Sequence, residues 1–388
     1  ATTLSTIRMF KTRRLMLLLM MMQIFPEVMC DDTMVKNSNS KEEYEEEDVA
    51  SPSSFVCRSN ETFLVWPLSS STSSSFIYTS QSLQRELKSC SSVGESYDDA
   101  YKAAWNYLRQ NVMGFDTGKL ETLGLGEYQD SDEDNLDGLQ TGIVSPTIEL
   151  ALRSKVQYEW TDALPQSIFY EYVLNYANTN EARTNWRQWL DPRIRPLVLQ
   201  HSPSNISEIV QIINTHLWTW IAPKNYNTNS TSPSSIIFVS GQTPLIYDPL
   251  SVITFGYASC TGLAILMVCA LRTMGVPARV VGTPAWYGNV SQGNHNWVEV
   301  YNGGQWYFLE PSPQASVVDT LERNPCDRWF CHPDRFHRRN GSPSTPVYAA
   351  RLDRLQANTY YPMAWETNCT DVPGDDRTEY YIQMCSKC

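Results

Sequence analysis

Histidine is scarce in this 388-residue chain, with five copies, and bases are outnumbered by acids: 30 Lys and Arg against 42 Asp and Glu, a net charge of −12. A chain short of positive charge is poorly matched to a phosphate backbone or an anionic bilayer. Nucleic acid and the membrane surface are therefore excluded as main partners. No internal repeat is present, so the chain is not a repeat array. Beyond the first 30 residues no stretch is long and apolar enough to cross a bilayer. The scarcity of histidine also narrows any search for a general base to His201, His216, His295, His332 and His337. What the chain does have is 42 % hydrophobic and 12 % aromatic residues, enough for a sizeable core in one large domain or two ordinary ones.

Residues 1–30 read as a signal peptide whose start is Met9. Lys11, Arg13 and Arg14 form a positive flank, Leu15 to Met22 an apolar run, and Val28 and Cys30 suit the cleavage positions. A buried helix is the plainer alternative, and the basic flank argues against it. Residues 31–54 carry "KEEYEEEDVASPSS" and read as a disordered acidic segment, because like charge running into Ser and Pro cannot bury a core. Six Asn-x-Ser/Thr acceptors, at Asn60, Asn205, Asn229, Asn289, Asn340 and Asn368, suit a glycosylated protein that is secreted or held in the secretory lumen.

In that compartment most of the ten cysteines should pair, with Cys57 and Cys90 closing one small module. Cys385-x-x-Cys388, with Cys326, Cys331, His332 and Cys369 nearby, has zinc-ligand spacing. An oxidising compartment favours disulfides over zinc, and no metal or cofactor is assigned. Asp130, Asp132 and Asp134 alternate as in a calcium loop, but Asn135 stands where glycine is needed and Thr141 where the bidentate Glu belongs. A solvated acidic loop is the better reading.

Helical spacing is clear over 95–112, with Tyr97, Tyr101, Ala104, Trp105 and Leu108 on one face. Helices are also expected at "TIELALRSKVQYEW", at "LPQSIFYEYVLNYA" with Pro165 near its first turn, and at 204–221, which Asn205 and Glu208 cap. Strands are expected at 278–283, 296–301 and 305–310.

The stretch "GYASCTGLAIL", 256–266, puts Cys260 in the first turn of a densely apolar helix that Gly275 and Pro277 end. Backbone N–H groups and the helix dipole favour a thiolate there. Cys269, among apolar neighbours mid-helix, reads as a buried inert thiol. Only His295 opens a strand, "HNWVEVY", which meets "QWYFLE" across Asn302-Gly303-Gly304. If Gly303-Gly304 is the loop, Asn302 faces Gln305, Trp297 faces Glu310, and His295 is diagonal to Glu310. If Asn302-Gly303 is the loop, His295 faces Glu310 directly. Either register puts the two side chains on one face about 5 to 8 Å apart. A nucleophile Cys260, a base His295 and an orienting acid Glu310 follow, with the Cys260 backbone N–H meeting the oxyanion. Glu299, on the same strand face, is the weaker competitor for the third place.

Cysteine at a helix start, histidine on a strand and an acid on the next strand resemble the transglutaminase-like superfamily, relatives of the papain-type cysteine hydrolases. The likeness runs through "ALRTMGVPARVVGTPAW", "GNHNWVEVYNGGQWYFLEPSP" and "LPQSIFYEYVLNYANTNEARTNWRQWL". It is to secreted or periplasmic members best known from bacteria, and most of the superfamily has Asp where Glu310 stands. The resemblance implies an α+β fold, a papain/transglutaminase-like core with its helix-borne cysteine packed on an antiparallel sheet and a helical region before it. The likeness covers about residues 160–315, and the chain is divided into a cysteine-containing helical region at 55–155, a catalytic domain at 156–315 and a cysteine-rich extension at 316–388, the flanks resembling no named family. It also implies a thiol acyltransferase or hydrolase acting on a protein or peptide amide, with an amine as a second acceptor. Trp218 and Trp220 become candidates for an oxyanion donor, since animal transglutaminases use a tryptophan upstream of the cysteine. The rival reading is a non-catalytic secreted glycoprotein that keeps the fold as a binding or structural module.

Overall fold

The computed structural model of the chain describes residues 96–128, 142–223, 235–313, 321, 333–339 and 341–385. The signal peptide, the acidic segment, the Cys57–Cys90 module and the acidic run from Asp130 lie outside the described residues.

Seven helices of seven or more residues are described. α1 is Tyr97–Gln110, α2 Val144–Gln157, α3 Trp186–Gln200, α4 Ile206–Trp220, α5 Pro249–Phe255, α6 Cys260–Thr273 and α7 Thr378–Met384. α1 buries the expected face of Tyr97, Tyr101, Ala104, Trp105 and Leu108. At the start of α4 the Asn205 side chain accepts from the Glu208 N–H at 3.0 Å, and the Glu208 carboxylate reaches back to the Ser204 N–H at 2.7 Å, a reciprocal cap. The helix expected after Pro165 is shorter: Gln166–Phe169 is α-helical, and Tyr170–Leu174 widens into a π-helical turn.

α3 has no counterpart in the sequence expectations. It carries Pro192 and Pro196 inside the helix, residues that ordinarily break one. The two are four apart and both exposed, so the missing N–H groups fall on the solvent side. The opposite face, with Trp186, Leu190, Ile194 and Val198 buried, holds the helix down.

Ten strands follow in chain order: β1 Ile237–Phe238, β2 Tyr257–Ala258, β3 Ala278–Thr283, β4 His295–Asn302, β5 Gln305–Leu309, β6 Arg338–Arg339, β7 Ser342–Pro343, β8 Tyr348–Ala350, β9 Thr359–Tyr360 and β10 Pro373–Asp376. Six of them make one sheet in the order β5-β4-β3-β8-β10-β9, antiparallel throughout. β4 and β5 pair with Asn302 opposite Gln305, the register set by a Gly303-Gly304 loop. Both glycines have positive φ, 55° and 85°, as a two-residue turn with the right twist requires.

The fold is α+β. α6 is buried along its whole length after Cys260, as a helix apolar all round must be. It packs against β3 and β4 on one side and against α2, α3 and α4 on the other. The sheet's other face holds Val281, Trp297, Phe308, Ala349 and Val347, closed over by Phe336 and by Tyr381 of α7.

Although a boundary was expected near residue 315, the sheet crosses it. β8, β9 and β10 complete the sheet from the far side of β3. An ion-pair chain reinforces the joint. Arg279 of β3 bonds Glu299 at 2.7 Å and Asp375 at 2.7 Å, and Arg377 bonds Glu299 at 3.0 Å. Arg351 reaches Asp375 at 2.9 Å.

Candidate active site

Ser259 occupies the N-cap position in extended conformation, and Cys260 is the first residue of α6. The thiol is free and partly exposed, while the following residues are buried. Its position leaves the helix's first N–H groups pointing past the sulfur, the positive end of the dipole.

β4 begins at His295, across the ladder from Thr283 of β3. Only 5 % of the residue is exposed. The His295 ring Nε2 lies 3.0 Å from Glu310 Oε1 and 3.2 Å from Oε2. That leaves Nδ1 to face the Cys260 thiol, to which the ring is hydrogen-bonded. A second group reaches the sulfur, the backbone N–H of Asn296.

Glu310 sits just past the end of β5, where the chain has left the sheet, and α4 holds it there. Asn214 Nδ2 donates to the Glu310 carbonyl at 3.0 Å, and Asn214 Oδ1 accepts from the Ser312 N–H at 3.2 Å. Asn214 is fully buried, so the Glu-Pro-Ser turn is tied to a rigid helix. The sequence offered no pointer to Asn214, whose contact with Glu310 spans 96 residues.

Charge in the site follows from these contacts. Burial alone would lower the His295 pKa, but the Glu310 carboxylate and the hydrogen bonds to Cys260 and Glu310 outweigh it and push it up to about 10. Burial alone would raise the Cys260 pKa, and so would Glu310. The His295 hydrogen bond and charge and the Asn296 N–H outweigh both and hold the thiol below its ordinary range. A raised imidazole beside a depressed thiol favours the charged pair, thiolate with imidazolium.

Two expectations are corrected. Glu299 is not part of this group. It is 1 % exposed and engaged by Arg279, Arg377 and the Tyr381 hydroxyl. Its strand position was read rightly, but Arg279 stands opposite it in β3 and claims it. Trp218 does not serve the thiol either. Its indole N–H donates to the Asn214 carbonyl in its own helix at 2.8 Å. Trp220 stacks on His216 with ring centroids 5.1 Å apart, in a stack that also includes His201.

Cys269 is buried and free, its thiol pushed up to about 12 by burial, with Arg272 opposing weakly. That matches the reading of an inert core thiol. Cys369 and Cys385 are each engaged in a disulfide.

Residues 216–311, about a quarter of the chain, match the family model described as Transglutaminase-like superfamily, and Cys260, His295 and Glu310 all fall inside the match. A solved structure described as that of a candidate cysteine protease from Cytophaga hutchinsonii is 20 % identical over 50 % of this chain and 60 % of its own, with a TM-score of 0.24. A second, described as a TGase, is 17 % identical over 37 % of this chain and 36 % of its own, with a TM-score of 0.23. This chain thus covers less than two thirds of either, and at such scores neither structure carries the argument. No curated protein matches significantly.

Proposed function

We propose that the protein is a secreted thiol enzyme of the transglutaminase-like type, working through an acyl-cysteine intermediate on an amide substrate. The observation that carries this reading is the single histidine ring that meets Glu310 at 3.0 Å and also hydrogen-bonds the Cys260 thiol. In the first step the Cys260 thiolate attacks the amide carbonyl carbon, and the C–S bond forms as the carbonyl becomes an oxyanion. The Cys260 N–H and the α6 terminus are placed to receive that charge. The C–N bond then breaks, and the His295 imidazolium gives its proton to the leaving amine. Water or a second amine, activated by the now neutral ring, attacks the acyl-enzyme and regenerates the thiolate. Glu310 keeps the ring oriented and favours its charged form throughout.

Secretion is part of the proposal. The acceptors Asn205, Asn289 and Asn368 are all exposed, as glycosylation needs, and the bonded Cys369 and Cys385 suit an oxidising compartment.

The test is the pH profile of Cys260 alkylation in the folded chain. An ordinary thiol is only a few per cent ionised at pH 7. Cys260 should label fast at neutral pH, with an acid limb below the ordinary thiol range. Catalysis needs the imidazolium as well, so turnover should fall as pH rises through about 10, where His295 loses its proton. A profile like that of a free thiol would favour the non-catalytic module.

Glu310→Gln should keep the shape of the site but remove the charge that stabilises the imidazolium. The alkaline limb should then move down, and turnover should fall on the order of 10²-fold. A smaller loss is expected for Glu310→Asp, because the charge is retained on a shorter arm. Turnover of both variants on a common amide substrate checks the order.

A further inference from the structure

Tyr361 follows β9 directly, and its N–H donates to the Val372 carbonyl at 2.9 Å, pinning it against the neighbouring strand. It is 3 % exposed. Its hydroxyl donates to Asn296 Oδ1, across 65 residues of sequence. On its other side the Asn296 amide donates through Nδ2 to the Thr261 hydroxyl at 2.7 Å. Both ends of the amide are therefore engaged, by opposite partners, and it has one orientation.

Space reinforces the point. A Cβ on Gly282, the residue opposite Asn296 in β3, would lie 2.1 Å from Asn296 Oδ1. The amide fills the room that glycine leaves. Asn296 is also the residue whose backbone N–H bonds the Cys260 sulfur, and Thr261 is the next residue after that cysteine. One chain of hydrogen bonds thus joins the C-terminal segment, the start of β4 and the first turn of α6, and it closes around the thiol. The phenol is pushed far up by burial and by the nearby Cys260 charge, so it stays a donor at any working pH. Among the described residues, the titratable groups coupled to the sulfur are His295, Glu310 and Tyr361.

We propose that Tyr361 is a positioning residue for the thiolate: by fixing the Asn296 amide, it fixes the backbone N–H that bonds the sulfur. This rests on the reading of Cys260 as the nucleophile. It extends the site beyond residues 216–311, into a segment with no part in the family match.

The experiment is iodoacetamide alkylation of Cys260 across pH, with the full-length chain and with Tyr361→Phe, which removes the hydroxyl alone. Loosening one hydrogen bond to a charged sulfur should move the acid limb up by about half to one pH unit. Alkylation below the limb should slow about three- to tenfold. Thr261→Val, acting on the other end of the amide, should move the limb the same way, and Thr261→Ser should restore most of that loss. Double substitution at 261 and 361 should shift it by less than the sum, since both act through Asn296. Trp365→Phe is the control. It lies in the same segment but packs on Tyr247, and it should leave the limb in place. If Tyr361→Phe fails to fold, the position-261 pair decides alone. The proposal is overturned if folded Tyr361→Phe, or in its absence Thr261→Val, keeps a limb within about 0.2 unit of wild type. An ordinary thiol profile in the wild-type chain would instead sink the enzyme reading before any variant is made.

Discussion

Cys260→Ala is expected to lower amide turnover by at least about 10³-fold, the scale on which deleting a nucleophile from a cooperating group acts. Fast alkylation should vanish with it. Among the described residues the other free thiol, Cys269, is buried, with its pKa pushed up to about 12, so labelling there should be slow. Stability should change little. The position opens a helix and is partly exposed, and a small residue replaces a small one, so the melting temperature should stay within a few degrees of wild type. His295→Ala should cost turnover similarly but leave a thiol that still labels, now with its pKa returned toward the ordinary range. The contrast between a missing thiol and a sluggish one separates nucleophile from base. Turnover retained by either variant would remove the basis for the mechanism.

Glu299→Gln is expected to do the reverse, sparing the chemistry and harming the fold. The carboxylate lies between two guanidinium groups, with Arg279 at 2.7 Å and Arg377 at 3.0 Å, and also accepts from Tyr381. Removing one partner of such a group leaves buried cations uncompensated, typically a loss of about 3–5 kcal/mol. For a protein of this size that corresponds to a melting temperature lower by roughly 5 °C. Burial alone would raise the Glu299 pKa, but the two arginines and the hydrogen bonds outweigh it and hold it below the ordinary carboxylate range. A depressed carboxylate contributes stability above its unfolded pKa, and that contribution is lost as pH falls through the folded value. The variant should therefore lose most of its deficit relative to wild type in acid. Alkylation of Cys260 in the folded fraction should be unchanged. A variant with normal stability and a dead thiol would make Glu299 the third member of the site.

The core of the site was legible because its signals are local. Gly275 and Pro277 end the cysteine helix, and two glycines set the hairpin register that brings His295 to Glu310. What escaped was long-range or irregular. α3 hides behind Pro192 and Pro196, because helix rules penalise proline without knowing which side faces water. β8, β9 and β10 have three, two and four residues, too few for alternation to stand out. Asn214 and Tyr361 act across 96 and 65 residues, distances at which no periodicity connects them to Glu310 or to Asn296. Glu299 was placed on the correct strand, but its neutralising partner Arg377 lies 78 residues on.

Because β8 pairs with β3, β3 is an interior strand. During synthesis Cys260, His295 and Glu310 all leave the ribosome before β8 exists. In that interval β3, with Val280 and Val281 fully buried in the finished protein, has β4 on one side and open backbone on the other. Unpaired N–H and C=O groups on an apolar strand are a template for pairing with another chain. The half that carries Cys260, His295 and Glu310 thus keeps an open edge until the last strands arrive, and the C-terminal part of the chain that brings Tyr361 beside Asn296 also closes that edge.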